Sequence, residues 1–313
     1  MMKIPSMIPR VFPASILATC LALCGCGTGD GALEGWARAA GSDVEGNTVA
    51  LLRPHRPRHR ITVPIPAADQ QVALPVVLGS GDPSRPLVVI DPGHGGHDPG
   101  AVNAGTGDHE KDVTLALARA LRDRLIRGDR LRVALTRDGD SFLTLTERAD
   151  VARRLGADLF ISLHADAAEN AGAHGATVYT LSETASDREA ARLAARENRA
   201  DIINGVNMGG QSGTVASILI DLSQRDAMTQ SVRFAELLYR EASPLMPFRS
   251  PYHRTASLVV LKAPDTPSVL FEAGYISSDA DAVRLGSAKG RETIAEGVAR
   301  AVEIDLARRT ISR

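Results

Sequence analysis

From residue 87 onward, apolar positions alternate between two rhythms. Residues 87–91, 131–136 and 158–163 are short, nearly continuous apolar runs, the pattern of strands covered on both faces of a parallel sheet. Between the first two, residues 111–127 place Val113, Leu117, Leu121 and Leu125 four apart, which predicts a helix with one buried stripe. Further helices are predicted over 143–155, 188–203, 216–242 and 291–306, and further strands over 177–181, 257–261 and 268–271. The alternation predicts a single α/β domain with a mostly parallel twisted sheet flanked by helices, occupying residues 87–313. Glycines 205, 209, 210 and 213 break the pattern and predict a loop inserted between two helices. No repeat at solenoid periods is present.

The N-terminal part reads differently. Lys3 and Arg10 precede an apolar segment, residues 11–23, too short to span a bilayer and laid out like a secretory leader. Small residues surround Cys26, which makes residues 1–26 a candidate lipoprotein signal with Cys26 as the lipid acceptor. Residues 27–86, rich in Gly, Pro and Ala, read as a flexible tether with one weak strand over 72–78. The basic cluster Arg53, Arg56, Arg58 and Arg60 with His55 and His59 lies in this stretch and reads as a solvated linker. The expected location is therefore outside the cytoplasm, in the periplasm.

A formal net charge of −1 supplies no global field for nucleic acid. All three cysteines, Cys20, Cys24 and Cys26, fall in the leader, so a metal held by the globular part must be bound by imidazole and oxygen.

Chemistry is expected first at Val88-Val89-Ile90-Asp91-Pro92-Gly93-His94-Gly95-Gly96-His97-Asp98-Pro99-Gly100, a core strand running into a glycine-rich turn. Its glycines match neither G-x-G-x-x-G before a helix nor a Gly-Lys-Ser/Thr ending, which argues against a phosphate cradle. Four residues stand where a strand ends or a helix begins: His94, Glu110, His164 and Glu272. Two imidazoles and one carboxylate suit a zinc ion with an open fourth position, and a second carboxylate off the metal suits a general base and acid. His97 and His109 read as loop residues, and His174 and His253 carry no assignment.

Several ordered blocks give these positions a family context. They are Ile90-Asp91-Pro92-Gly93-His94-Gly95-Gly96, Glu110-Lys111, Thr136-Arg137, the stretch 145–148, Ala157-Asp158-Leu159-Phe160-Ile161-Ser162-Leu163-His164-Ala165-Asp166, and Pro267-Ser268-Val269-Leu270-Phe271-Glu272-Ala273-Gly274-Tyr275-Ile276-Ser277. Together they resemble the zinc-dependent N-acetylmuramoyl-L-alanine amidases that split septal peptidoglycan. The resemblance implies one zinc ion per chain on His94, Glu110 and His164, with Glu272 as the catalytic carboxylate. It implies peptidoglycan as substrate, cut between the lactyl group of N-acetylmuramic acid and L-alanine. Arg254 matches an arginine of the family signature and is a candidate for orienting substrate, with an ordinary ion pair as the alternative.

Residues 182–223 resemble an insertion that, in the cell-separation branch, covers the zinc until an activator protein displaces it. The resemblance rests on Arg196-Glu197-Asn198 and Ser217-Ile218-Leu219-Ile220-Asp221-Leu222. The glycine-rich middle of the insertion, 207–213, contains no acid, so the blocking carboxylate is expected to be Asp201 or Asp221, or to be absent. Two other readings compete: a zinc peptidase cutting within the stem peptide, and a catalytically dead wall-binding lipoprotein.

Overall fold

The computed structural model describes residues 72–311, apart from 169, 171 and 201–213; the expected leader, most of the expected tether and Asp201 lie outside the described residues. Seven strands form one sheet in the order β1-β3-β2-β4-β7-β5-β6. They are β1 Val77–Gly79, β2 Leu87–Pro92, β3 Arg132–Leu135, β4 Leu159–His164, β5 Ala176–Leu181, β6 Phe248–Ala256 and β7 Ser268–Glu272. Four of the six neighbouring pairs are parallel, and only β1 with β3 and β5 with β7 run antiparallel.

Strand residues alternate between two apolar layers. Val88 and Ile90 of β2, Ile161 of β4 and Val269 of β7 pack against α1 Glu110–Ile126, α4 Thr214–Ala242 and α6 Ala288–Ile311. Leu87, Val89, Phe160 and Leu270 face the other way, onto α2 Leu145–Leu155 and α3 Arg188–Glu197. Helix α2 carries a complete capping box, in which the Thr144 hydroxyl accepts from the Glu147 N–H while the Glu147 carboxylate accepts from the Thr144 N–H.

The connections set the site. From β2 the chain passes to β3 on one side, then crosses to β4 on the other, which makes the C-terminal end of β2 a switch point where an open sheet leaves a crevice. β4 and β7 continue the parallel order, with His164 directly beside Glu272.

Two expectations change. The predicted strand over 257–261 is a 3-10 turn, Val259–Leu261, and the strand lies just upstream as β6. Phe248-Arg249-Ser250-Pro251-Tyr252-His253-Arg254-Thr255-Ala256 is an edge strand, where proline and solvent-facing polar residues are tolerated, so it carries no apolar run. The helix expected over 291–306 is present as α6, and a short helix α5, Asp279–Gly286, which the pattern did not predict, precedes it. The weak strand expected over 72–78 is the short edge strand β1, which pairs with β3.

Candidate metal centre

Each expected site residue sits at the end of an element that fixes it. His94 follows β2 by two residues, Glu110 opens α1, and His164 and Glu272 end β4 and β7. The four meet. Glu110 Oε2 lies 3.1 Å from His94 Nε2 and Glu110 Oε1 lies 3.2 Å from His164 Nδ1, while the two imidazole rings are 4.9 Å apart edge to face. Glu110 is fully buried and also accepts backbone N–H bonds from Ala101 at 2.9 Å and Ala165 at 2.8 Å. The helix N-terminus of α1 favours its negative charge.

The turn that carries His94 is held from below by two buried arginines. Arg148 donates to the carbonyls of Pro92 and His94, both at 2.8 Å, and pairs with Asp91 at 2.9 Å. Arg137 donates to the carbonyls of Pro92 at 3.0 Å and Gly93 at 2.8 Å. Asp91 also accepts from the hydroxyls of Thr136 at 2.6 Å and Ser162 at 2.7 Å. Burial opposes the Asp91 charge, but Arg148 and these hydroxyls prevail and hold its carboxyl below the ordinary range. This framework fixes His94 in a left-handed backbone conformation, φ 62°, which a non-glycine residue adopts only at a cost.

Two glycines let the imidazoles approach. A Cβ on Gly93 would stand 2.5 Å from His164 Cε1, and one on Gly100 would stand 2.6 Å from His94 Cδ2. Asp98, four residues after His94, accepts from its Nδ1 at 2.9 Å; that bond leaves Nε2 to face the centre as a lone pair.

A further carboxylate enters from above. Glu197, at the end of α3, is buried, with Oε2 3.4 Å from His164 Nδ1 and 3.8 Å from His94 Nε2. His94, His164 and Glu197 each present a ligand atom within 4.8 Å of the others, a group that can hold a metal ion. Sequence reasoning quoted Glu197 within the insertion but looked for the occupying acid at Asp201 or Asp221; Asp201 and the Asp221 side chain lie outside what is described. The signal for Glu197 was present in the chain, since α3 turns its Ala190, Leu193, Ala194 and Glu197 face inward.

The electrostatics call for a cation. Glu110, Glu197 and Glu272 crowd one buried space. Burial disfavours the charged imidazole of His94, but the carboxylates of Glu110, Asp98 and Glu197 push its pKa well above the ordinary value. For Glu272, burial and then the charges of Glu110 and Glu197 raise the pKa well above the usual carboxylate range. Its Oε2 accepts from the Asp166 N–H at 3.2 Å, while its Oε1 is buried without a hydrogen-bond partner among the described residues. A buried carboxylate beside two imidazoles, with one oxygen free, can move a proton on a reacting molecule.

Arg254 lies apart from this centre. It is buried on β6, donating through Nη1 to Asp187 at 2.7 Å and reaching Glu189 at 3.1 Å, both on or just before α3. His97 is an exposed loop residue whose ring rests on Phe142, and His109 precedes α1. His253 meets the Thr180 hydroxyl at 2.8 Å.

Residues 88–304 match the N-acetylmuramoyl-L-alanine amidase family. The chain belongs to that family. N-acetylmuramoyl-L-alanine amidase AmiA of Escherichia coli K12 is 39% identical over 217 residues, covering 69% of this chain and 74% of that protein. N-acetylmuramoyl-L-alanine amidase AmiC of Neisseria meningitidis is 36% identical over 220 residues, covering 70% of this chain and 52% of its own length. Among solved structures, the amidase AmiC2 of Nostoc punctiforme is 27% identical, with a TM-score of 0.50 over 75% of this chain and all of that one. The amidase is thus an enzyme of amide hydrolysis, and its strand-end residues are the place to seek that chemistry.

Proposed function

We propose that the amidase is a zinc-dependent peptidoglycan hydrolase that cuts the amide between the lactyl group of N-acetylmuramic acid and L-alanine, in wall remodelling and daughter-cell separation. The observation that carries the reading is the convergence of His94, His164 and Glu272, at or just past the C-terminal ends of parallel strands, with Glu110 at the start of α1. His94 Nε2 is buried and faces the carboxylates of Glu110 at 3.1 Å and Glu197 at 3.8 Å, and a nitrogen and oxygen donor set suits zinc. His94, His164 and Glu110 would hold it, and a zinc ion there supplies Lewis acidity toward a carbonyl and makes water acidic near neutral pH.

The chain's own groups handle the protons. Glu272 Oε1 takes a proton from the attacking water and returns it to the leaving amine nitrogen, because an unactivated amide expels a poor leaving group unless that nitrogen is protonated. Asp98 fixes the His94 tautomer throughout.

With α3 over the centre the amidase is in a covered state. Glu197 stands where a substrate oxygen or water would bind, and Arg196 pairs with the buried Asp166 beside it. We take Glu197 to be the self-inhibitory carboxylate, relieved when an activator protein draws α3 away. A secretory leader with Cys26 lipidated would place the enzyme in the periplasm on a membrane anchor; no helix among the described residues is long and apolar enough to cross a membrane.

Mass spectrometry of digested wall fragments tests the reaction. Free L-alanine amino termini are expected, and shortened stem peptides would indicate a peptidase instead. Glu272→Gln should lose about a hundredfold to ten-thousandfold in rate while keeping its zinc. Equal turnover by this variant refutes the mechanism.

A further inference from the structure

Helix α3 brings its acids to two places at once. Glu197 reaches the metal centre, while Asp187, the residue capping α3, and Glu189 in its first turn meet Arg249 and Arg254 of β6. Arg249 donates to Glu189 through both terminal nitrogens and to the Tyr275 hydroxyl at 2.8 Å, with its guanidinium 5.3 Å from the Tyr275 ring centre. The arginines are held by the sheet and largely buried, with side chains 14% and 6% exposed, whereas Asp187 and Glu189 are 34% and 44% exposed. Arg254 Nε is buried with no hydrogen-bond partner among the described residues, so its planar fork is only half used by the acids now on it.

The arginines lie along a track from the reacting centre. Thr177 pairs with Glu272, while Tyr179 pairs with Leu270 on one side and Arg254 on the other, so Arg254 lies two strands across from β7 on the face covered by α3. A cavity of about 360 Å³ holds His94, Glu110 and Arg196, and a second of about 150 Å³ runs on under α3 past Arg196 to Glu189 and Tyr275. Eight helical positions separate Glu189 from Glu197, about 12 Å along the axis. An extended peptide covers that distance in roughly three to four residues.

We propose that Arg249 and Arg254 form a carboxylate subsite for the stem peptide, three to four residues from the scissile amide, which Asp187 and Glu189 occupy as substrate stand-ins while α3 is closed. The proposal rests on the amidase reading above. In the open enzyme the freed guanidinium groups grip a free carboxylate of the peptide, and the Arg254 Nε completes a two-point contact. Peptides whose carboxylates are amidated lose that grip.

The test uses the full-length, zinc-loaded protein and synthetic muramoyl peptides in which the free carboxylates are converted to carboxamides one at a time, with kcat/KM measured by chromatography of the released peptide. Amidation of one carboxylate in the wild type should lower kcat/KM by about tenfold to a hundredfold, mainly through KM. Arg249→Gln and Arg254→Gln should each shrink that discrimination to about twofold by weakening the carboxylate peptide only. Arg249→Gln, at the more exposed of the two positions, carries the test where Arg254→Gln does not fold. No discrimination in the wild type, or unchanged discrimination in the variants, overturns the proposal. So does equal acceleration of both peptides in the variants, the behaviour of a pair that only clamps α3. If neither the wild type nor Glu197→Ala, in which the blocking carboxylate is gone, cleaves a muramoyl peptide between the lactyl group and L-alanine, the amidase reading itself fails.

Discussion

Replacing Glu197 with alanine separates a lid from a ligand. The residue is 5% exposed, and its carboxylate faces both imidazoles at 3.4 and 3.8 Å. α3 has other anchors: Asn198 donates to the Ser257 carbonyl at 2.8 Å and accepts from the Val259 N–H at 2.9 Å, and Asp187 and Glu189 hold its start. Glu197→Ala therefore leaves the helix docked but removes one charge-assisted contact, worth about 1.5–3 kcal/mol in typical proteins. If closed and open forms are in equilibrium, that shift raises the open population by about tenfold to a hundredfold until opening is complete. Release of dye from labelled wall sacculi, without any activator, should rise by the same factor while zinc content stays at one per chain. An unchanged rate with zinc intact refutes the blocking role. A slower variant that has lost zinc makes Glu197 a resident ligand instead.

Other outcomes follow from the supporting residues. Asp98→Ala should weaken zinc binding by about tenfold to a hundredfold in chelator competition, because His94 loses the partner that orients it. Gly93→Ala should lower zinc occupancy and thermal stability together, since the new methyl group meets the His164 ring at 2.5 Å and the Leu163 carbonyl at 2.9 Å. Asp91→Ala should cost about 3–5 kcal/mol in denaturant unfolding by leaving Arg148 without its buried counter-charge. Because the Asp91 pKa is depressed from 3.8, its contribution is present above that pH and is lost as pH falls through the lower folded value. Acid titration of Asp91→Asn should lack that increment of stability loss.

The legible parts of the chain were those where one constraint acts alone. Strands β2, β4 and β7 are buried on both faces, so their apolar runs and the polar residues at their ends stand out, and parallel pairing brings His94, His164 and Glu272 together. Strand β6 was read too late because its polar, proline-containing run serves an edge, while the apolar run after it folds into a turn against α2. Glu197 was hard to single out because a glutamate in a charged helix looks like any solvent-facing one. The spacing of Ala190, Leu193, Ala194 and Glu197 marks one face of α3 as inward, but only tertiary packing places the end of that face over the imidazoles. Asp98 gave no periodic signal at all, since a loop residue that orients a histidine obeys no repeat.

The crossover between β5 and β6 carries α3 on one face of the sheet and α4 on the other, so α3 is continuous with the core through both of its ends. Were α3 displaced as proposed, it would stay covalently tethered near its seat, and its return would be an intramolecular event. On that proposal, an activator protein would have to outcompete an intramolecular ligand for as long as activity is needed. On the partner's departure α3 would return without synthesis or cleavage of any bond, so wall cutting would end with the encounter.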